Sequence, residues 1–94
     1  LSRSRIQKRE ALAIAAKLDA KIHRDGPHQL ARVEFGGRVV LTFGIRHGRM
    51  GGHGHLVGRH QGELKINETG AMALASCVMS KDEYFAHLRR IGML

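Results

Sequence analysis

At 94 residues the chain is one domain, residues 1–94, with 43% apolar residues but only 4% aromatics and no Trp, so its core must be aliphatic and partly built from alanine. Sixteen Lys and Arg against eight Asp and Glu give a net charge of +8, which selects nucleic acid, an anionic surface or an acidic protein as partner. No apolar run approaches the ~20 residues of a spanning helix, the N-terminal stretch is interrupted by Lys17 and Asp19 where a signal peptide would stay apolar, and a lone Cys77 can close no internal disulfide. The expectation is therefore a cytoplasmic protein with no membrane partner.

Taken in chain order, Ala11, Ile14, Ala15 and Leu18 recur at helical spacing and predict a helix from about Ser4 to Leu18. Arg3, Arg5, Lys8 and Arg9 crowd its start, where cations oppose the helix dipole. That cluster is either a solvated face or a phosphate-facing end. A short extended piece, Lys21 to His23, leads into a turn at Arg24-Asp25-Gly26-Pro27. Then Ala31, Val33 and Phe35 alternate with Leu30, Arg32 and Glu34, and beyond Gly36-Gly37 the residues Val39, Leu41, Phe43 and Ile45 alternate with Arg38, Val40, Thr42 and Gly44. Two alternating runs across a Gly-Gly link predict a β-hairpin with a primed turn. Its apolar face should meet a helix, and Arg32, Glu34, Arg38 and Thr42 should look outward.

The segment from Gly44 to Gly62 holds seven glycines, four histidines and three arginines without one acid. Such a composition is expected to add nothing to a core. Asn67 can cap a helix reaching about Val78, with Ala71, Leu74, Ala75 and Val78 as its apolar stripe, weakened in its first turn by Gly70. Ser80-Lys81-Asp82-Glu83 reads as a capping box for a last helix that turns Tyr84, Phe85, Leu88 and Ile91 inward and stops at Gly92. Cys77 reads as a small buried apolar residue. His23 and His87 read as edge or surface residues. The fold class is α+β: α-β-β-β followed by two C-terminal helices over 67–92, with the helices packed on one face of a small antiparallel sheet.

Three readings compete for the glycine-rich segment. His47, His53, His55 and His60 suggest a metal nest, yet no carboxylate or thiol balances a cation there and three arginines oppose it. A phosphate cradle suits it better, because glycine-rich turns present backbone N–H groups to anions and Arg46, Arg49 and Arg59 can chelate phosphate oxygens. A disordered loop is the third. No nucleotide fingerprint is present, so a polymeric phosphodiester is the better ligand.

His28 stands apart from these. It follows the Gly26-Pro27 corner at the mouth of the hairpin, with Arg24 before it and Arg32 four residues on. Neighbouring cations favour neutral imidazole, the form a general base needs. Against RNA, the reaction would be proton abstraction from a 2′-hydroxyl followed by attack on the adjacent phosphate, with arginines or Lys21 stabilising the developing charge. It requires neither metal nor cofactor.

Gly26-Pro27-His28-Gln29 and the following LARVEFGGRVVLTF resemble the HicA family of toxins, over residues 4–45. The resemblance implies a fold like that of double-stranded-RNA-binding domains, an mRNA interferase (hydrolase) activity with His28 as the catalytic residue, and inhibition by an acidic HicB-type antitoxin. The resulting expectation is an RNA-binding endoribonuclease of a toxin–antitoxin pair, holding its substrate with Arg5, Lys8, Arg24, Arg32, Arg46, His47, Arg49 and Arg59. The alternatives are a non-catalytic nucleic-acid-binding module and a metal-binding protein built on the loop histidines.

Overall fold

The computed structural model describes residues 6–25, 28–46, 56–57 and 62–94. Their order is α1 (Lys8–Lys17), β1 (Lys21–Asp25), β2 (His28–Phe35), β3 (Arg38–Arg46), α2 (Glu68–Ala75) and α3 (Lys81–Arg90). The strands form one antiparallel sheet in the order β1-β2-β3. The expected α+β arrangement is the observed one.

The hairpin turns as its glycines require. Gly36 and Gly37 both adopt positive φ, +62° and +82°, the pair of left-handed residues a type I′ turn demands. Ala31 and Val33 of β2 and Leu41, Phe43 and Ile45 of β3 all point into the core. One irregularity alters the expected alternation. Val33 pairs with Leu41 but Glu34 pairs with Val39, so Val40 is an extra residue in β3. Val39 is thereby turned to the Glu34 side and half exposed, whereas Arg38 comes to lie across from Phe35 on the core-side face. Periodicity alone had assigned both the other way.

The helical layer covers only the apolar face. In α1, Ala11, Ile14, Ala15 and the following Leu18 are buried as their spacing predicts. The helix starts later than expected, at Lys8 rather than about Ser4. Gln7 is extended (φ −104°, ψ 177°) and its N–H donates to Glu10 Oε1 at 2.9 Å, which closes a capping box and fixes the first turn there. At the other end Lys17 Nζ donates to the carbonyls of Ser76 and Met79, and Lys81 Nζ meets Asp19 Oδ2 at 2.7 Å. These contacts tie α1 to the α2–α3 connection.

In α2, Asn67 caps as expected, its side chain accepting from the Gly70 N–H at 2.7 Å. The helix ends at Ala75, because Ser76 is extended and its hydroxyl donates to the Ala73 carbonyl at 3.0 Å. Past that stop Val78 cannot join the apolar stripe and is 76% exposed, and Cys77 is exposed instead of buried. The Ser80–Glu83 capping box is present in α3, with Tyr84, Phe85 and Leu88 buried. Ile91 lies beyond the last helical turn and is exposed, contrary to expectation.

The glycine-rich segment does contribute to the core. Leu56 is fully buried and its carbonyl accepts from the Leu64 N–H at 3.0 Å. Val57 bridges Ile66 in parallel. Gly62 fits against this backbone because it lacks a side chain: a Cβ there would stand 2.6 Å from the Leu56 oxygen. The returning chain is held from the far side by α3. The Tyr84 hydroxyl donates to the Leu64 carbonyl and His87 Nε2 donates to the Lys65 carbonyl, each at 2.7 Å. His87 is thus half-buried and bonded, not a plain surface residue.

Burial pushes the Tyr84 phenol above its ordinary pKa. The unfolded chain ionises near pH 10 while the folded one resists, so stability is intact below about pH 10 and falls above it. Tyr84 is the sole tyrosine. Its phenolate absorbance should therefore rise only together with loss of the helical circular dichroism; ionisation near pH 10 in a folded protein would contradict the buried bond. Tyr84→Phe leaves the Leu64 carbonyl without this donor and should cost about 1–3 kcal/mol in urea unfolding.

Candidate nucleic-acid interface

Strand parity and register define what the helices leave uncovered. Residues directly opposite each other in an antiparallel pair share a face. Lys21, Arg32 and Thr42 form one row across the three strands, and His23, Leu30 and Gly44 form the next. Asp25, His28 and Arg46 form the third. All three rows lie on the face opposite the buried Ala31, Val33, Phe43 and Ile45. Lys21, His23, Arg32 and Thr42 are exposed there.

The side chains of this face are arranged by charge. Lys21 Nζ lies 3.4 Å from Glu34 Oε1, an exposed pair that contributes little to stability. It does offset part of the charge of Lys21. Arg32 has no carboxylate partner among the described residues. Its guanidinium lies 3.4 Å from His23 Nε2, a long contact to a ring that carries no negative charge. Arg32 is thus a cation held in place by a neighbour that does not neutralise it. The adjacent Thr42 hydroxyl adds a donor and acceptor suited to phosphate or ribose.

Of the residues expected to bind nucleic acid, Arg32 and the backbone positions of His28 and Arg46 come together on this face. Arg24 does not. It pairs with Gln29, whose other partner is the buried Ile45, so it sits on the opposite face from His28. The expected setting of His28 between Arg24 and Arg32 is therefore replaced by one between the register positions of Asp25 and Arg46. Lys8 opens α1 and belongs to the helical layer. Arg5, His47, Arg49 and Arg59 lie outside the described residues, as do His53, His55 and His60. Among the described residues no three His, Cys, Asp or Glu side chains gather as a metal site. Likewise no described helix is long and apolar enough to cross a membrane.

Sequence reasoning passed over His23, taking it for a bland strand flank. The signal was its even spacing from Lys21, but that parity acquires a direction only once β1 is paired in register with β2. Glu63 is another such residue. Its Oε1 accepts from the Gly44 N–H at 2.8 Å and so reaches the edge of β3 beside the second row.

The chain matches no protein-family model, no curated protein and no solved structure with which it was compared. The face itself is a polar, cation-bearing sheet surface about 13 Å long between the Arg32 and His28 rows, at ~3.3 Å per residue. Arg32→Ala should lower the slope of log affinity against log salt for a single-stranded oligonucleotide by nearly 1, while Arg24→Ala changes it less. Equal effects of the two substitutions would show that the face does not discriminate.

Proposed function

We propose that this protein binds RNA across the uncovered sheet face and cleaves it with His28, as a metal-independent endoribonuclease of the HicA-like mRNA interferase type. The observation that supports this reading is the register. It puts His28 on the uncovered face, in one row with Arg46 and in line with Arg32.

In the reaction, His28 accepts the proton of a ribose 2′-hydroxyl. The 2′-oxygen then attacks the adjacent phosphorus and the bond from phosphorus to the 5′-oxygen breaks. The products are a 2′,3′-cyclic phosphate and a 5′-hydroxyl end, which takes up a proton from the imidazolium or from water. The charge developing on the phosphoryl oxygens is met by Arg46, nearest in register. Arg32 and Thr42 hold the strand further along. Use of the 2′-hydroxyl as nucleophile restricts the substrate to RNA. In this proposal an acidic antitoxin-type protein restrains the enzyme, and both act in the cytoplasm.

His28→Ala should slow cleavage of a single-stranded RNA by about 10²–10⁴-fold, the range of a lost general base. Affinity for the 2′-O-methyl form of the same RNA should be little changed. Cleavage at the wild-type rate would overturn the catalytic role. RNA that is bound but never cut by the wild-type protein would make the face a binding module without catalysis.

A further inference from the structure

At the other end of the hairpin, seven residues and roughly 23 Å along β2 from His28, lies a second recessed surface. It is an open trough of about 520 Å³ between the start of β3 and the end of α3, lined by Phe35, Arg38, Val39, Val40, Arg89 and Met93 among others. Its floor is apolar yet open to solvent: Phe35 is 42% exposed and Met93 36%. Phe35 is held from behind, its ring centroid 5.0 Å from that of the buried Phe85. The extra residue Val40 shapes the site, because it is what brings Arg38 across from Phe35 on the core-side face.

Charge decides what this trough can accept. Arg38 comes from the strand side and Arg89 from the last turn of α3, both exposed. Among the described residues neither forms an ion pair and none that is acidic lines the trough. A second copy of the chain is a poor occupant, since each copy carries +8. Nucleic acid fits less well than protein, because bases stack on flat ring faces. Here the floor is mainly Val and Met, and the single ring is already packed on Phe85.

We propose that the trough docks an acidic segment of a partner protein. One large apolar side chain rests on Phe35 and Met93, and flanking carboxylates meet Arg38 and Arg89. Apolar anchor and charged rim divide the work in the usual way, the anchor giving affinity and the rim giving selection for acidic sequence. The site does not depend on the RNA reading, and it leaves the His28 face open.

The test is fluorescence anisotropy with a fluorescein-labelled synthetic peptide of Asp and Glu residues around one central Phe. The full chain should bind it saturably. The pair Arg38→Glu with Arg89→Glu should weaken binding at least about tenfold. Met93→Ser, which leaves the charge unchanged, should weaken it too, as should replacing the peptide's Phe by Ser. Lys21→Glu on the other face should leave it within about twofold. Circular dichroism melts of the variants, all at exposed positions, establish that they are folded. No saturable binding up to about 1 mM peptide, or equal losses from Lys21→Glu and from the Arg38/Arg89 pair, would overturn the proposal. So would a single-stranded RNA whose affinity falls with the Arg38/Arg89 pair and not with Arg32→Ala. Failure of the RNA reading would instead appear as unchanged RNA cleavage in His28→Ala with peptide binding intact.

Discussion

The hydrogen bond from the buried Tyr84 hydroxyl to the Leu64 carbonyl organises the second half of the molecule. Tyr84 is the largest fully buried side chain, in a chain with few other rings. By reaching the backbone of the returning segment it joins α3 to the Leu56–Leu64 pairing. That pairing in turn delivers Leu56 and Leu64 to the same core as Ile14, Phe43 and Leu74. With Lys17 bonded to the Ser76 and Met79 carbonyls, both C-terminal helices are anchored in the layer that α1 occupies. Among the described residues no further element covers the other side of the sheet. The exposed rows of Lys21, His23, Arg32 and Thr42 are the consequence.

The same anchoring gives the glycine-rich segment its place. It leaves β3 at Arg46, the position across from His28, and it is fixed again at Leu56 and at Gly62, where only glycine fits against the Leu56 carbonyl. Of its arginines and histidines, Arg46 alone is among the described residues, in register with His28. In the proposed function Arg46 holds a polymeric phosphate beside His28, the base that takes the proton of the attacking 2′-hydroxyl. The basic composition supplies long-range attraction to any polyanion. The register supplies the position.

Much of the fold was legible in the sequence. Helical spacing identified Ala11, Ile14, Ala15 and Leu18 as core, Gly36-Gly37 identified the hairpin turn, and Asn67 and Ser80 identified two helix starts. What escaped depended on contacts distant in sequence. The extra residue at Val40 breaks an alternation that looked regular from Val39 to Ile45, because a bulge is set by how two strands fit and not by the pattern of either. The early end of α2, which exposes Cys77 and Val78, comes from the Ser76 side chain competing for the Ala73 carbonyl. The candidate site was half legible. His28 and Arg32 share a parity that can be read along one strand, whereas Arg24 looked adjacent to His28 until register placed it on the opposite face.

The central claim is that the uncovered sheet face is the RNA-binding surface. It is tested most directly by amide chemical-shift mapping of the isotopically labelled protein with a single-stranded 2′-O-methyl RNA, which binds without being cut. The account predicts that Lys21, His23, His28, Arg32, Thr42 and Arg46 shift together while the amides of Leu74, Phe85 and Leu88 stay in place. Shifts confined to the helical layer, or an uncovered face that does not respond at all, would contradict it.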